Sequence, residues 1–295
     1  MGKNTFSGYH PVVNLLYFVL VIGCAMVLAH PACLAISLAC ALGVSLSLQG
    51  RGAIRFYLLP MLLVTAVANP LFSHAGVTTL AYFPGGNPLT LESILYGISA
   101  AFLLVTVVTW FSCFNAVMRS DKLVYLFGRL IPALSLVLSM ALRFVPRFTA
   151  QAKAIADAQK CLGRGVSQGS VFARVKHGMR ILSILITWAL ENAIDTADSM
   201  KSRGYGLPGR SAFSIYRFEK RDRAALLFAL ACGGLVIAGA ALGQLEFHYY
   251  PAVGGAPMTA WQAGLFIVYF ALCALPLWVR GKGALQWRRV SRAGA

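Results

Sequence analysis

Apolar residues gather in six long runs along the chain, 12–29, 31–48, 55–73, 93–118, 224–245 and 260–279. A helix crosses the hydrocarbon core of a bilayer with about 20 mostly apolar residues. The pattern therefore predicts an all-α integral membrane protein with about six transmembrane helices. Only His30 and Pro31 separate the first two runs, which makes a tight helical hairpin. Asn69-Pro70 falls near one end of the third, where a kink disturbs few backbone bonds. Segment 74–90 holds Gly76, Pro84, Gly85, Gly86 and Pro88 and reads as a turn-rich connection. The first run is long enough to span and has no small-residue cleavage site behind it, so no cleaved leader is expected.

The stretch between the fourth and fifth runs differs. Leu123–Val145 has the length of a span, but Arg129 and Arg143 leave only Ile131–Leu142 free of charge, and Gly128 and Pro132 interrupt it. A second run, Ile181–Leu190, is shorter and leads into Glu191, Asp195 and Asp198. Both are too short to cross and are expected to lie at or partly within the cytoplasmic interface. The expected organisation is residues 1–118 with four transmembrane helices, 119–215 with cytoplasmic amphipathic helices, and 216–295 with two further spans and a basic tail.

Composition sharpens this. Of 295 residues 58% are hydrophobic and 12% charged, about half the charge of an average soluble domain. That excludes a disordered chain and an ordinary cytosolic enzyme. The net charge is +17, from 26 Lys+Arg against 9 Asp+Glu. Eighteen of those cations lie in 119–223 and five more follow the last run, while 74–90 and 246–259 have none. Basic residues favour the cytoplasmic side, so the chain is expected to be multi-pass in the cell membrane with both termini cytoplasmic. Without aromatic interleaving or a recognisable module, the basic stretch does not read as a nucleic-acid binder. The seven cysteines form no CxxC pair and six lie in apolar runs, which suits buried thiols better than disulfides or zinc.

Two segments of the basic stretch share a design. After Pro146, which suits a first helical turn, Phe148, Ala152, Ile155, Ala158 and Leu162 recur at helical spacing. Lys153 and Asp157 can pair at i,i+4, and the helix is expected to stop at Gly163-Arg164-Gly165. In WALENAIDTADSMKSRGYG, Ala189, Ala193, Ala197 and Met200 form a stripe of small side chains, ending at Ser202-Arg203-Gly204-Tyr205-Gly206 before Pro208. An Arg beyond a last helical turn is favoured by the dipole and can meet a carboxylate bidentately on another protein. The plainer reading stays open beside it: Arg holds anionic head groups, and Gly is an ordinary helix stop.

These segments resemble the paired Ala-Arg-Gly coupling helices of the transmembrane T component of energy-coupling-factor ABC transporters, a family that includes the cobalt-uptake membrane subunit. His10-Pro11, the run RLIPALSLVLSMALRFVPRF, the tail DSMKSRGYG and the strings NPLFSHAG and TLESILYG carry the same likeness. The resemblance implies a coupling-helix region in 119–215 and two cytosolic ABC ATPase subunits that receive Arg164 and Arg203, with Gly165 and Gly204 completing those tips. Ala152, Ile155, Ala158, Ala189, Ala193, Ala197 and Met200 become the packing faces of the coupling helices. It also implies a membrane-embedded substrate-binding S component, for which Leu123, Leu126, Leu134 and Leu138 are the candidate surface. Transport of a vitamin or metal ion is the implied role. Gly163 and Ser202 stand where the family has Ala; both are small.

The chain has no GxxxxGK[ST] loop and no HExxH. It is thus expected to be non-catalytic and to bind no cofactor or metal itself, with ATP and Mg used by partner subunits. The rival reading is an integral membrane prenyltransferase, in which Glu191, Asp195 and Asp198 hold a Mg-diphosphate. That reading lacks a second Asp-rich motif.

Overall fold

The computed structural model describes residues 5–50, 52–73, 76–82, 88–130, 132–205, 207, 216–251, 253–255, 257 and 259–293. Arg51, His74, Pro84, Gly85, Gly86, Gly206, Pro208 and the Leu134 side chain lie outside the described residues. The helices are α1 (Pro11–Val27), α2 (Pro31–Gln49), α3 (Gly52–Phe72), α4 (Leu91–Val117), α5 (Ser120–Leu130), α6 (Pro132–Cys161), α7 (Val171–Ser202), α8 (Lys220–Ala241) and α9 (Ala260–Ala293). Two short antiparallel ribbons join them, β1 (Thr79–Tyr82) with β2 (Pro88–Thr90) and β3 (Phe247–His248) with β4 (Gly254–Gly255). The chain divides into two compact units, Met1–Arg119 with Tyr216–Ala295, and Ser120–Ile215.

The first unit contains all six apolar runs as helices. Pro31–Leu48, Leu91–Val117, Lys220–Ala241 and Ala260–Gly283 are long and apolar enough to cross a membrane; Pro11–Val27 and Leu58–Phe72 are shorter apolar stretches. At 17 residues, α1 is roughly 26 Å long, the short end of what a bilayer accepts. This is an all-α membrane architecture. Both α1 and α2 begin with His-Pro. Each proline supplies a preset φ at a position whose N–H has no helical partner anyway. Each preceding histidine caps the first turn through Nδ1, His10 accepting from Val12 N–H at 3.3 Å and His30 from Ala32 N–H at 3.2 Å.

Packing runs α1 to α8, α8 to α9, α9 to α2, α2 to α4 and α4 back to α1, with α3 against α4. Tyr17, Phe18, Trp110, Tyr269 and Leu272 fill the centre. Phe6, Tyr17, Phe18 and Trp110 meet edge to face, the favoured arrangement of ring quadrupoles. Polar groups in this core are tied down: Tyr17 Oη donates to the Leu272 and Cys273 carbonyls, and Trp110 Nε1 donates to Ser37 Oγ at 3.0 Å. Thr106 and Thr109 donate to carbonyls one turn back. Cys24, Cys33, Cys40, Cys113, Cys232 and Cys273 are buried free thiols, whereas Cys161 is exposed.

In the second unit α5 packs on α6 and α6 on α7. Three expectations change here. Leu123–Val145 is not one helix: Pro132, which has no N–H to continue a helix, starts α6 after α5 ends at Leu130. Pro146 does not start a helix either; α6 runs through it for 30 residues. A proline removes one i→i−4 bond, and the Ala-rich sequence after it restores helix at once. Finally, Ile181–Leu190 is the middle of a 32-residue α7 that runs on through the alanine-rich stretch to Ser202, just before Arg203.

Candidate functional site

α6 and α7 end in the same hydrogen-bonded cap. At the end of α6, Gly163 N–H donates to the Lys160 carbonyl at 3.0 Å and Arg164 N–H to the Gln159 carbonyl at 2.9 Å. At the end of α7, Gly204 N–H donates to Lys201 and Tyr205 N–H to Met200, both at 3.0 Å. Gly163 and Gly204 have φ of +72° and +73°. This is the Schellman arrangement, in which a left-handed glycine lets two N–H groups turn back onto the last carbonyls.

The two arginines occupy different places in it. Arg203 precedes its left-handed glycine and Arg164 follows one. The glycine that caps α6 is Gly163, so Gly165 is not the counterpart of Gly204. Gly165 is buried in the next turn, its N–H donating to Gln168 Oε1 at 3.3 Å while its carbonyl accepts from Gln168 N–H at 3.1 Å. Beyond that turn, Arg174 Nε donates to the Val166 carbonyl and Ser170 caps α7. Both Arg164 and Arg203 are exposed.

The other expected positions divide. Ile155 is buried, and Ala152, Ala189 and Met200 are half-buried; Ala158, Ala193 and Ala197 are exposed. Leu123, Leu126 and Leu138 are half-buried. An aromatic cluster joins α6 to α7: Phe144 stacks on Phe148 at 5.7 Å, Phe148 meets Trp188 edge-on at 5.6 Å, and the Arg147 guanidinium lies 5.4 Å from the Trp188 ring centre. Lys153 and Asp157 do not pair; Arg221 pairs with Glu219 at 3.1 Å.

One surface was missed by looking for uninterrupted apolar runs. Val171, Val175, Met179, Leu182, Ile186, Leu190 and Ile194 recur every three or four residues along α7 and are all exposed, one slowly winding apolar stripe. Arg174, Lys176 and Arg180 interrupt the run in sequence, but the spacing alone would have revealed it. Glu191, Asp195 and Asp198 are all exposed on α7, and among the described residues no three His, Cys, Asp or Glu come together to hold a metal ion.

The model of the CbiQ family, cobalt transport protein, matches residues 4–214. The chain belongs to this family. The matched interval takes in α1 to α7 and both Arg-Gly ends, and stops short of α8. The chain is also similar to the energy-coupling factor transporter transmembrane protein EcfT of Lactobacillus helveticus, 34% identical over 108 residues, 36% of this chain and 39% of that protein. EcfT of Lacticaseibacillus paracasei is 34% identical over 108 residues, 36% of this chain and 41% of its own. EcfT 1 of Listeria monocytogenes is 29% identical over 191 residues, 60% of this chain and 70% of its own. The alignments with the first two of these proteins thus span about two fifths of their length.

Proposed function

We propose that this chain couples ATP hydrolysis on two cytosolic ABC ATPase subunits to a membrane-embedded substrate-binding subunit, for import of a vitamin or metal ion. The chain itself is non-catalytic in this reading and binds no cofactor; ATP and Mg belong to the partners. The supporting observation is the pair of long helices that each close in a left-handed glycine with an exposed arginine at the cap. An arginine there is favoured by the helix dipole and offers five donors in a rigid fork. Motion of the ATPases would then pull on Arg164 and Arg203 and shift α6 and α7. Only contacts that differ between nucleotide states can drive that shift. The exposed stripe on α7 supplies an apolar surface for the substrate-binding subunit, beside the candidate Leu123, Leu126, Leu134 and Leu138. The distribution of basic residues supports a cytoplasmic side for both termini and for 119–215 in this reading.

The test is co-purification with the two ATPases and ATP-driven uptake in proteoliposomes. Arg164→Glu and Arg203→Glu are expected to lose both. Retained assembly and uptake in the two variants would remove the assignment.

A further inference from the structure

Inside the second unit, α6 and α7 flank an open cavity of about 740 Å³ whose wall is amphipathic. Arg143, Arg147 and Arg203 line it, with Asp195 as the one carboxylate; Met140 and Phe144 form its apolar part. The charge excess is unanswered within the chain. Among the described residues the Arg143 and Arg203 side chains have no hydrogen bond or ion pair, and Arg147 has only its contact with the Trp188 ring. Asn192 and Thr196 also line the cavity, but their side chains already donate to the carbonyls of Trp188 and Asn192. With Ser199, which also lines the cavity, the free donors are three guanidinium groups and one hydroxyl, and three exposed cations against one exposed carboxylate give the site a net positive charge that favours an anion.

The ligand must be apolar at one end as well. One turn before Met140 on the same face of α6, Val137 is exposed, so apolar surface continues from the cavity along the helix. An inorganic anion or a carboxylate side chain would satisfy the arginines and leave this surface in water. A phosphodiester with attached acyl chains satisfies both. We propose that the α6–α7 cavity is a site for the head group of an anionic phospholipid, with Arg143 and Arg147 gripping the phosphate and Met140 and Phe144 lying along the start of its chains. Arg143 and Arg147 are separated by one helical turn, which puts both on the same face of α6. The grip is assigned to Arg143 and Arg147, so this reading does not require Arg203, which the ATPase reading also uses.

The experiment uses the full-length protein in neutral detergent, titrated with phosphatidylglycerol, phosphatidylcholine or inorganic phosphate, with bound species counted by native mass spectrometry. One phosphatidylglycerol is expected to be held at least tenfold more tightly than phosphatidylcholine, whose choline cation would lie against the same arginines. Arg143→Gln with Arg147→Gln is expected to erase that preference. Lys153→Gln with Lys176→Gln, which removes equal charge from exposed positions off the cavity, is expected to keep it. Arg143→Lys with Arg147→Lys keeps the charge without the fork and is expected to fall between; it also replaces the Gln pair as the readout if that pair unfolds. Equal binding of the two lipids, or preference retained in the Gln pair, overturns the proposal. Displacement of phosphatidylglycerol by submillimolar inorganic phosphate reassigns the cavity to a free anion and also overturns it. So does loss of ATPase association in the Gln pair with lipid binding unchanged, which would make the cavity a protein dock.

Discussion

The backbone N–H of His10 donates to Asp222 Oδ1 at 3.3 Å, joining positions 212 residues apart. The other carboxylate oxygen accepts from Glu219 N–H at 3.0 Å. One buried carboxylate thus satisfies orphan N–H groups at the starts of both α1 and α8. Arg221 reinforces the junction, donating to the Gly8 carbonyl at 3.1 Å with its guanidinium 5.0 Å from the Tyr9 ring centre. Asp222→Ala leaves both N–H groups unmet and is expected to cost about 2–4 kcal/mol. Asp222→Asn keeps one acceptor oxygen, so its loss is expected to be about half. Thermal unfolding in detergent checks the order; an Ala variant as stable as the parent would show that the carboxylate holds nothing.

His30 makes stability depend on pH. Its Nδ1 accepts the Ala32 N–H, and its ring lies 5.4 Å from Phe247 and 5.0 Å from Phe266. Burial lowers its pKa below the ordinary 6.5. Protonation would add an unsolvated charge and turn the capping acceptor into a donor. Since the unfolded state binds the proton more readily, His30's contribution is whole above about pH 6.5 and shrinks as pH falls toward the depressed folded value. His30→Asn can still cap but does not titrate. The melting temperature is expected to drop more for the parent than for this variant between pH 7.5 and 5.5, and parallel curves would count against it.

Gly97 lets α4 approach α3. A Cβ there would stand 2.8 Å from the Ala66 carbonyl oxygen and 3.1 Å from Pro70 Cδ. Because the obstacle is backbone and a rigid ring, the helices would have to separate. Gly97→Ala is expected to destabilise by about 1–3 kcal/mol, and Gly97→Val by more. By contrast, nothing stands within 4 Å of a Cβ at Gly23 or Gly234, so Ala there should leave the melting temperature unchanged.

What could be read from the sequence follows from which forces are local. Apolar runs are long and nearly free of charge, so all six apolar helices of the first unit were legible, four of them long enough to cross a membrane, as was the hairpin at His30-Pro31. The capping role of His10 and His30 was not, because histidine is no preferred N-cap and only the fold fixes which ring nitrogen meets the N–H. The continuity of α6 through Pro146 was hidden because proline reads as a boundary when the packing that holds the two halves in line is unseen. At Gly163-Arg164-Gly165 two glycines flank one arginine, and either could take the left-handed turn. Gln168, which claims Gly165 for the following turn, lies outside the motif that drew attention to it.

The exposed stripe on α7 predicts a separable defect. Met179→Lys and Ile186→Lys change side chains that are 61% and 50% exposed, so folding is expected to change by no more than about 0.5 kcal/mol. If this stripe receives the substrate-binding subunit, each variant will co-purify with the ATPases yet lose most of that subunit. Joint loss of both partners, or of neither, would deny the stripe that role.

The cap geometry makes unequal predictions for glycines that look alike in sequence. Gly163 and Gly204 have left-handed φ, so alanine at either is expected to cost about 1–2 kcal/mol in its helix end. Hydrogen exchange should rise at Arg164 and Tyr205, whose N–H groups close the caps. Gly165 has no such constraint, and a Cβ there meets Lys160 Cγ at 3.4 Å and Gln168 Oε1 at 3.5 Å, contacts that flexible side chains absorb. Gly165→Ala is therefore expected to leave exchange at the end of α6 unchanged. The same pair separates two ways an ATPase could engage Arg164. If the partner needs the arginine aimed by the cap, Gly163→Ala will weaken association and Gly165→Ala will not. If it packs directly on the bare backbone at Gly165, the order will reverse while the exchange pattern stays as stated.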